Sequence, residues 1–364
     1  MNLLDPKREF FLIFVGSFND EYNQGFTLYQ FDPEGKKIFL KNQTTKAINP
    51  IHFQFSKTNQ FLYAACAQTP LHGTIASFEI DLQKADLSLI RIQDSKGSIP
   101  CYVSIDEAEQ FAFTANYNSG NIASFPLRDI GHLNPAKQSI QHIGQSIHPE
   151  RQNEPHIHCI VTDPNNEFVF AVDLGTDEII SYRFNQKDGL LQSNPHSTEI
   201  FPPGSGPRHM IFHPNRTWVY VITELSNKVH CFDLSSDGKL IAKDSFNSLP
   251  ETFNGESYAA DIVIDPSGKY LYASNRGHDS ISIFHISDHD GHLIFIGNVS
   301  SEGKFPWSLD IDVHGNFLMV ANQHANNVVI FKRNSSNGFL SKYIEINDVE
   351  SPVSARFILQ PRNE

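Results

Sequence analysis

The sequence predicts an all-β fold, a seven-bladed β-propeller of four-stranded antiparallel blades, from three observations. An apolar phrase recurs seven times, anchored at Phe11, Phe61, Phe111, Phe168, Trp218, Tyr270 and Phe317. Its period of roughly fifty residues is the mark of an array of like units. Clusters of Asp, Asn, Gly and Pro cut each interval into four short strands, and such clusters mark turns because these residues accept or preset the unusual φ a turn needs. No segment carries the three- and four-residue apolar spacing of an amphipathic helix. Four-strand meanders repeated radially make propeller blades.

Taken in order, residues 1–9 form a tail and residues 10–360 a single propeller domain. The first unit begins directly at its second strand, Phe11 to Val15, whereas units two to seven each open with an extra strand, five of the six at or beside a proline. The fifth unit shows the pattern in full. Its strands run from Arg208 to Phe212, Trp218 to Thr223, Lys228 to Leu234 and Leu240 to Asp244, separated by His213-Pro214-Asn215-Arg216, Leu225-Ser226-Asn227 and Ser236-Asp237-Gly238. The sixth repeats it with turns at Asp265-Pro266-Ser267-Gly268, Gly277-His278-Asp279 and His289-Asp290-Gly291. The strand missing from the first unit is found after Pro352, so Val353 to Leu359 (353–359) is expected to pair with Phe11 to Val15 (11–15), closing the ring and removing an open sheet edge.

Charge and cysteine usage narrow the function. A formal net charge of −13 argues against nucleic acid and anionic membranes as partners, since phosphate groups would be repelled over most of the surface. An anionic small molecule would need its own local cations. Cys66, Cys101, Cys159 and Cys231 are scattered through apolar strand runs with no CxxC pair, which fits reduced core cysteines. The first residues lack the basic start and apolar stretch of a secretory leader, and the cytoplasm is the expected location.

In an up-and-down meander the start of strand one and the end of strand two share one end of the blade. Counting six residues back from Pro164 and Pro214 puts His158 and Arg208 at the same place, the start of the innermost strand. Counting six on from Trp218 and Tyr270 puts Glu224 and Arg276 together, just past strand two. Four ionisable groups therefore meet at one mouth of the central channel, with Asn116, Tyr117, Asp173, His209, Asn322 and Gln323 at the same or adjacent places. A polar residue at one strand end is commonplace, but a His, a Glu and two Arg around one opening point to a site. A guanidinium is always charged, and its planar fork suits a carboxylate, a phosphate or a developing oxyanion. Residues 128–152 exceed their equivalents in length, carry His132, His142 and His148, and read as a flap over this mouth or as a plain surface loop.

The runs Pro149-Glu150-Arg151-Gln152, Pro155-His156-Ile157-His158, Asp173-Leu174-Gly175-Thr176-Asp177, Gly206-Pro207-Arg208-His209, Glu224-Leu225-Ser226 and Ser274-Asn275-Arg276-Gly277-His278 resemble those of the seven-bladed propeller lactonases. That family includes bacterial propeller-type 6-phosphogluconolactonases and, more distantly, fungal muconate-lactonizing enzymes. The resemblance covers nearly the whole chain and is strongest from Pro149 to Gln323. It implies hydrolysis of a sugar lactone, 6-phosphogluconolactone first among them, by a carboxylic-ester hydrolase. It also implies a catalytic set of His158, Arg208, Glu224 and Arg276, with no cofactor and no metal. Asn118 stands where the family usually has glycine, and Ile262-Val263-Ile264 follows Asp261 where some relatives place a His.

On this basis Glu224 is expected to act as general base on water, against the pull of two nearby arginines, and Arg208 with His158 to hold the oxyanion. Arg276, assisted by Arg151 or His209, is expected to bind a phosphate or carboxylate, and His156, Asn116, Tyr117, Asp173, Asn322 and Gln323 to line the substrate. Three alternatives stand beside this reading: a metal-dependent lactonase using His156, His158 and Asp173, a cycloisomerase acting on a carboxylate, and a non-enzymatic interaction propeller.

Overall fold

A computed structural model describes residues 8–128, 131–194, 197–347 and 349–361. They form seven antiparallel sheets arranged as propeller blades. Blade 1 joins Phe11–Ser17, Phe26–Asp32 and Lys37–Thr44 to the C-terminal strand Pro352–Leu359. That strand pairs antiparallel with Phe11–Ser17, Phe11 opposite Leu359 and Val15 opposite Ala355, which is the closure expected from the missing first strand. Blades 2 to 7 begin at Pro50, Pro100, Ile157, Pro207, Tyr258 and Pro306. Five of the seven innermost strands thus start on a proline, counting Pro352, a position where the absent N–H costs no ladder bond. The last strand of blade 5 runs Leu240–Asn247, beyond the Asp244 expected. No α-helix occurs among the described residues. Of the expected tail, residues 1–7 lie outside the described residues, while Arg8 pairs with Asp32 and Glu9 with His314 at 3.2 Å.

Alternation along the strands builds the core. Leu12 and Phe14 pack into the seam with blade 2, while Phe11, Ile13 and Val15 pack into the seam with blade 7. The same two-residue period fills every seam between neighbouring blades with its own apolar cluster. The four cysteines are free and buried.

The turn between strands one and two is a repeated device that fixes strand register. Asp163 Oδ1 accepts the amides of Glu167 (2.7 Å) and Phe168 (2.6 Å), Oδ2 accepts that of Asn165 (2.9 Å), and Asp106 holds Gln110 and Phe111 in the same way. The fourth residue of the turn is left-handed in each of blades 2 to 7, at Asn59, Glu109, Asn166, Arg216, Gly268 and Gly315. Asp163→Ala removes an acceptor for three amides, one of them, that of Phe168, in the buried start of a strand. It is expected to destabilise the protein by about 2–3 kcal/mol in denaturant unfolding, with the sheet signal of the native state unchanged.

Candidate active site

The site owes its geometry to a fault repeated around the ring. Near the start of every innermost strand the register slips, between Pro50 and His52, Pro100 and Tyr102, Ile157 and Cys159, Pro207 and His209, and Pro306 and Ser308. In blade 6 the slip spans Ala259 to Ile262, and in the closing pair it leaves out Val353. A bulge of this kind leaves one residue unpaired and re-aims its side chain. The unpaired residues are Ile51, Cys101, His158, Arg208, Ala260 with Asp261, Trp307 and Val353, one set from each blade. Residues at or just past the ends of the second strands add Tyr117, Glu224, Arg276 and Gln323. The mouth is lopsided: Ile51, Ala67 and Cys101 pack with Phe18 and Tyr22 into an apolar patch, and the charges sit opposite.

Glu224 is the hub. Its carboxylate is 1% exposed and meets three guanidinium groups: Arg208 Nε at 2.9 Å, Arg276 Nη2 at 2.6 Å, and Arg151 Nη2 in closer contact still. Burial alone would raise its pKa, but Arg276, Arg151 and Arg208 override it and hold it down at about 2. Three guanidinium groups against one carboxylate leave two positive charges at the mouth of a strongly acidic protein. These are the local cations an anionic ligand would need.

Arg208 is fully buried. Its Nε donates to Glu224, and Nη1 donates to the Ala260 carbonyl at 2.6 Å and to His209 Nε2 at 3.2 Å. Nη2 has no hydrogen-bond partner although it is buried. Of the five donors of the fork, the two on Nη2 are therefore uncommitted. Burial, then Arg276, lowers the Arg208 pKa to about 10, which leaves it charged at neutral pH. Trp307 lies under both cations, its ring 5.6 Å from Arg208 Cζ and 4.9 Å from Arg276 Cζ, and Phe305 adds a second face to Arg276. Arg276 is tied down by the Tyr258 carbonyl at 3.1 Å. Arg151 comes from the 128–152 segment and remains one-third exposed, with its Nη2 also on the Tyr117 hydroxyl at 3.2 Å.

His158 is buried, first by desolvation and then by Arg208, His209 and Arg276 driven well below the ordinary histidine pKa, and so is neutral at pH 7. Its Nδ1 faces Cys101 Sγ at 3.8 Å, and among the described residues Nε2 has no partner. His156 stacks on Tyr117 at 4.4 Å and donates from Nδ1 to the Tyr117 carbonyl at 2.9 Å, so it props Tyr117 rather than facing the mouth. Gln323 stands at the mouth beside Phe305, whose carbonyl accepts its amide at 3.0 Å. His209 lies one layer deeper, with Nδ1 on Asp261 Oδ1 at 2.9 Å.

Three further residues expected to line the substrate make their contacts within the fold. Asn116 and Asn322 are fully buried and turn back into their blades, where Nδ2 donates to the carbonyls of Ser95 and Ser301 at 3.0 Å. Asn275 is bound to Ser248 in the same way, so this is a repeated tie to the end of the fourth strand. Asp173 is spent on the amides of His156, Gly175 and Thr176 and on His142 Nδ1 at 2.9 Å. It does not join His156 and His158 around a metal, and the described residues contain no group of three or more His, Cys, Asp or Glu able to hold one. His142 is itself buried, with Tyr182 OH donating to Nε2 at 3.0 Å, so the long segment is riveted to blade 4 and presents Arg151 on a fixed base.

Residues 12–357 match the family described as Lactonase, 7-bladed beta-propeller. The chain belongs to this family. It is similar to a 6-phosphogluconolactonase of Bacillus subtilis, 34% identical over 349 residues that cover 95% of this chain and 98% of the relative. A 6-phosphogluconolactonase of Formosa agariphila is 36% identical over 336 residues, covering 91% and 94%. Among solved structures, the periplasmic gluconolactonase of Pseudomonas aeruginosa superposes with a TM-score of 0.91 at 28% identity, covering 97% of this chain and all of that one.

Two residues of the site, one at the mouth and one beneath it, escaped the sequence reading. Trp307 sits five residues before Asp312, as His158 sits five before Asp163, so the same count would have found it. Asp261 lies in the bulge of blade 6, four residues before Asp265 as His209 lies four before His213, so counting from the turn would have matched it to His209.

Proposed function

We propose that this protein is a cytoplasmic lactonase that hydrolyses 6-phosphogluconolactone to 6-phosphogluconate. The observation that carries the reading is the unpartnered, buried Nη2 of Arg208, set in a mouth with two surplus positive charges. The family and the activities named for the relatives support it.

Donors aimed where negative charge develops lower an acyl-transfer barrier without reorganising during the reaction. Arg208 Nη2 takes the lactone carbonyl oxygen and stabilises it as it becomes an oxyanion. His158 Nε2 removes a proton from water as the water oxygen bonds to the carbonyl carbon. On collapse the ring C–O bond breaks, the proton passes from His158 to the departing ring oxygen, and the product acid loses its own proton to solvent. A bound phosphate brings negative charge beside His158 and raises its low pKa toward neutrality, the direction a base requires. Arg151 and Arg276 receive the phosphate. Glu224 is assigned as the counter-ion that gathers the three arginines. A carboxylate held near pKa 2 with both oxygens on guanidinium groups is too weak a base for the role first expected of it.

The test is acid release from 6-phosphogluconolactone beside unphosphorylated gluconolactone, each with and without a chelator. The first substrate is expected to be preferred and the chelator to have no effect. Preference for gluconolactone, the activity named for the Pseudomonas relative, would move the substrate to the unphosphorylated sugar. Arg151→Ala removes one charge-assisted contact worth ~1.5–3 kcal/mol. KM for the phosphorylated lactone is expected to rise roughly 10- to 100-fold, with KM for gluconolactone nearly unchanged. An equal rise for both substrates would take Arg151 away from the phosphate.

A further inference from the structure

Beneath the mouth, a second polar layer crosses the channel. Asp261 Oδ1 accepts from His209 Nδ1 at 2.9 Å and from the Ile262 amide, while Oδ2 accepts the Leu309 amide at 2.9 Å, so the carboxylate is pinned by backbone from two blades. His209 Nε2 is 3.2 Å from Arg208 Nη1. A guanidinium only donates, so Nε2 carries the lone pair, and an ionised carboxylate only accepts, so Nδ1 carries the hydrogen. Both contacts select the same neutral tautomer.

We infer that Asp261 and His209 form a positioning relay for the hydrolysis, in which Asp261 sets the tautomer of His209 and the Nε2 lone pair of His209 holds Arg208 Nη1, so that Nη2 faces the lactone carbonyl. The inference rests on the reading of Arg208 as the oxyanion donor. Partners behind a reacting group orient it and fix its protonation state in this way. The Ala260 carbonyl holds the other Nη1 hydrogen and Glu224 holds Nε, so His209 supplies the third of three fixed points around the fork.

The relay has a proton-sensitive link. Protonation of His209 places an N–H against Nη1 and breaks the contact. The groups facing His209 are Arg208 on its own strand, Asp261 from blade 6, His158 from blade 4 with ring centres 5.1 Å apart, Tyr102 from blade 3 at 5.2 Å, and His52 and Arg356 from blade 2 and the closing strand. Burial, then Arg208, lowers the His209 pKa to about 4 against the pull of Asp261. A cavity of about 490 Å³ lies beneath, lined by His52, Tyr102, His209, Asp261 and Arg356 and reaching the turns at Lys57 and Glu107. Protons can therefore reach His209 from the face opposite the substrate.

The experiment compares His209→Leu with His209→Gln, whose amide oxygen can accept from Nη1, and runs Arg208→Ala in parallel. A misplaced catalytic group costs up to about 100-fold. His209→Leu is expected to lose ~30- to 100-fold in kcat with KM changed less than about threefold, and His209→Gln to recover most of that loss. Below the acid limb that protonation of His158 sets, the wild-type kcat is expected to fall more steeply as pH drops through about 4, and that added steepness is expected to vanish in His209→Gln. The relay is overturned if His209→Leu keeps wild-type kcat, if His209→Gln restores nothing although it melts at the wild-type temperature, or if the added steepness near pH 4 persists in His209→Gln. Wild-type activity in Arg208→Ala would instead overturn the oxyanion reading on which the relay depends.

Discussion

Arg208→Ala is expected to lower kcat/KM for 6-phosphogluconolactone by 100- to 1,000-fold. Loss of a single oxyanion donor costs about 2.7–4 kcal/mol in enzymes that use one, and Arg208 offers two hydrogens from a nitrogen with no other partner. Most of the loss should fall on kcat, since the interaction strengthens as charge moves onto the carbonyl oxygen. Arg208→Lys keeps the charge and serves as the sharper comparison. An ammonium is a point donor and cannot meet Glu224, the Ala260 carbonyl and His209 while presenting a further donor to the substrate. The lysine variant is therefore expected to bind the phosphorylated lactone nearly as well as the wild type and to turn it over at least tenfold more slowly, a loss of about 1.4 kcal/mol or more. Steady-state kinetics of both variants check this. A lysine variant with wild-type kcat would show that positive charge alone suffices and that the fork geometry is immaterial.

What the sequence disclosed follows from which interactions are local. The turn beginning at Asp163 and ending on Phe168 is written within six consecutive residues, so its recurrence exposes the blades and their register. The closing strand was legible because a unit lacking its first strand leaves one to be found at the other end of the chain. His158, Arg208, Glu224 and Arg276 could be counted to one mouth because they occupy equivalent places in three consecutive blades. Parity decided the errors. Asn322 and Gln323 are neighbours, yet one turns into the blade and the other stands at the mouth, and a single-residue offset in a strand exchanges its faces. The bulges that aim His158 and Arg208 at the channel also reset that parity, so spacing puts His209 and Asp261 at equivalent places, each four residues before its turn, but alternation does not show that this place is a deeper layer of the channel. Arg151 reaches Glu224 across 73 positions of sequence from a segment with no counterpart in other blades, so counting could not pair them.

Glu224→Gln separates the two roles a buried carboxylate can play here. As a general base it would be dispensable for folding, and its loss would abolish turnover in a protein of unchanged stability. As the counter-ion of Arg151, Arg208 and Arg276 it holds three cations that would otherwise repel one another inside the channel. Breaking a buried ion pair by removing one partner typically costs 3–5 kcal/mol. The glutamine variant is accordingly expected to melt roughly 5–10 °C below the wild type. The sign with pH agrees: the folded pKa of about 2 lies below the ordinary 4.5. The stabilisation from Glu224 is therefore complete above about pH 4.5 and is lost as pH falls through about 2. In the wild type it amounts to something on the order of 3 kcal/mol. An anion that occupies the mouth should replace the missing charge. Inorganic phosphate or 6-phosphogluconate is thus expected to raise the melting temperature of Glu224→Gln by more than that of the wild type. A glutamine variant that is inactive, melts with the wild type and gains nothing from phosphate would return Glu224 to the role of base.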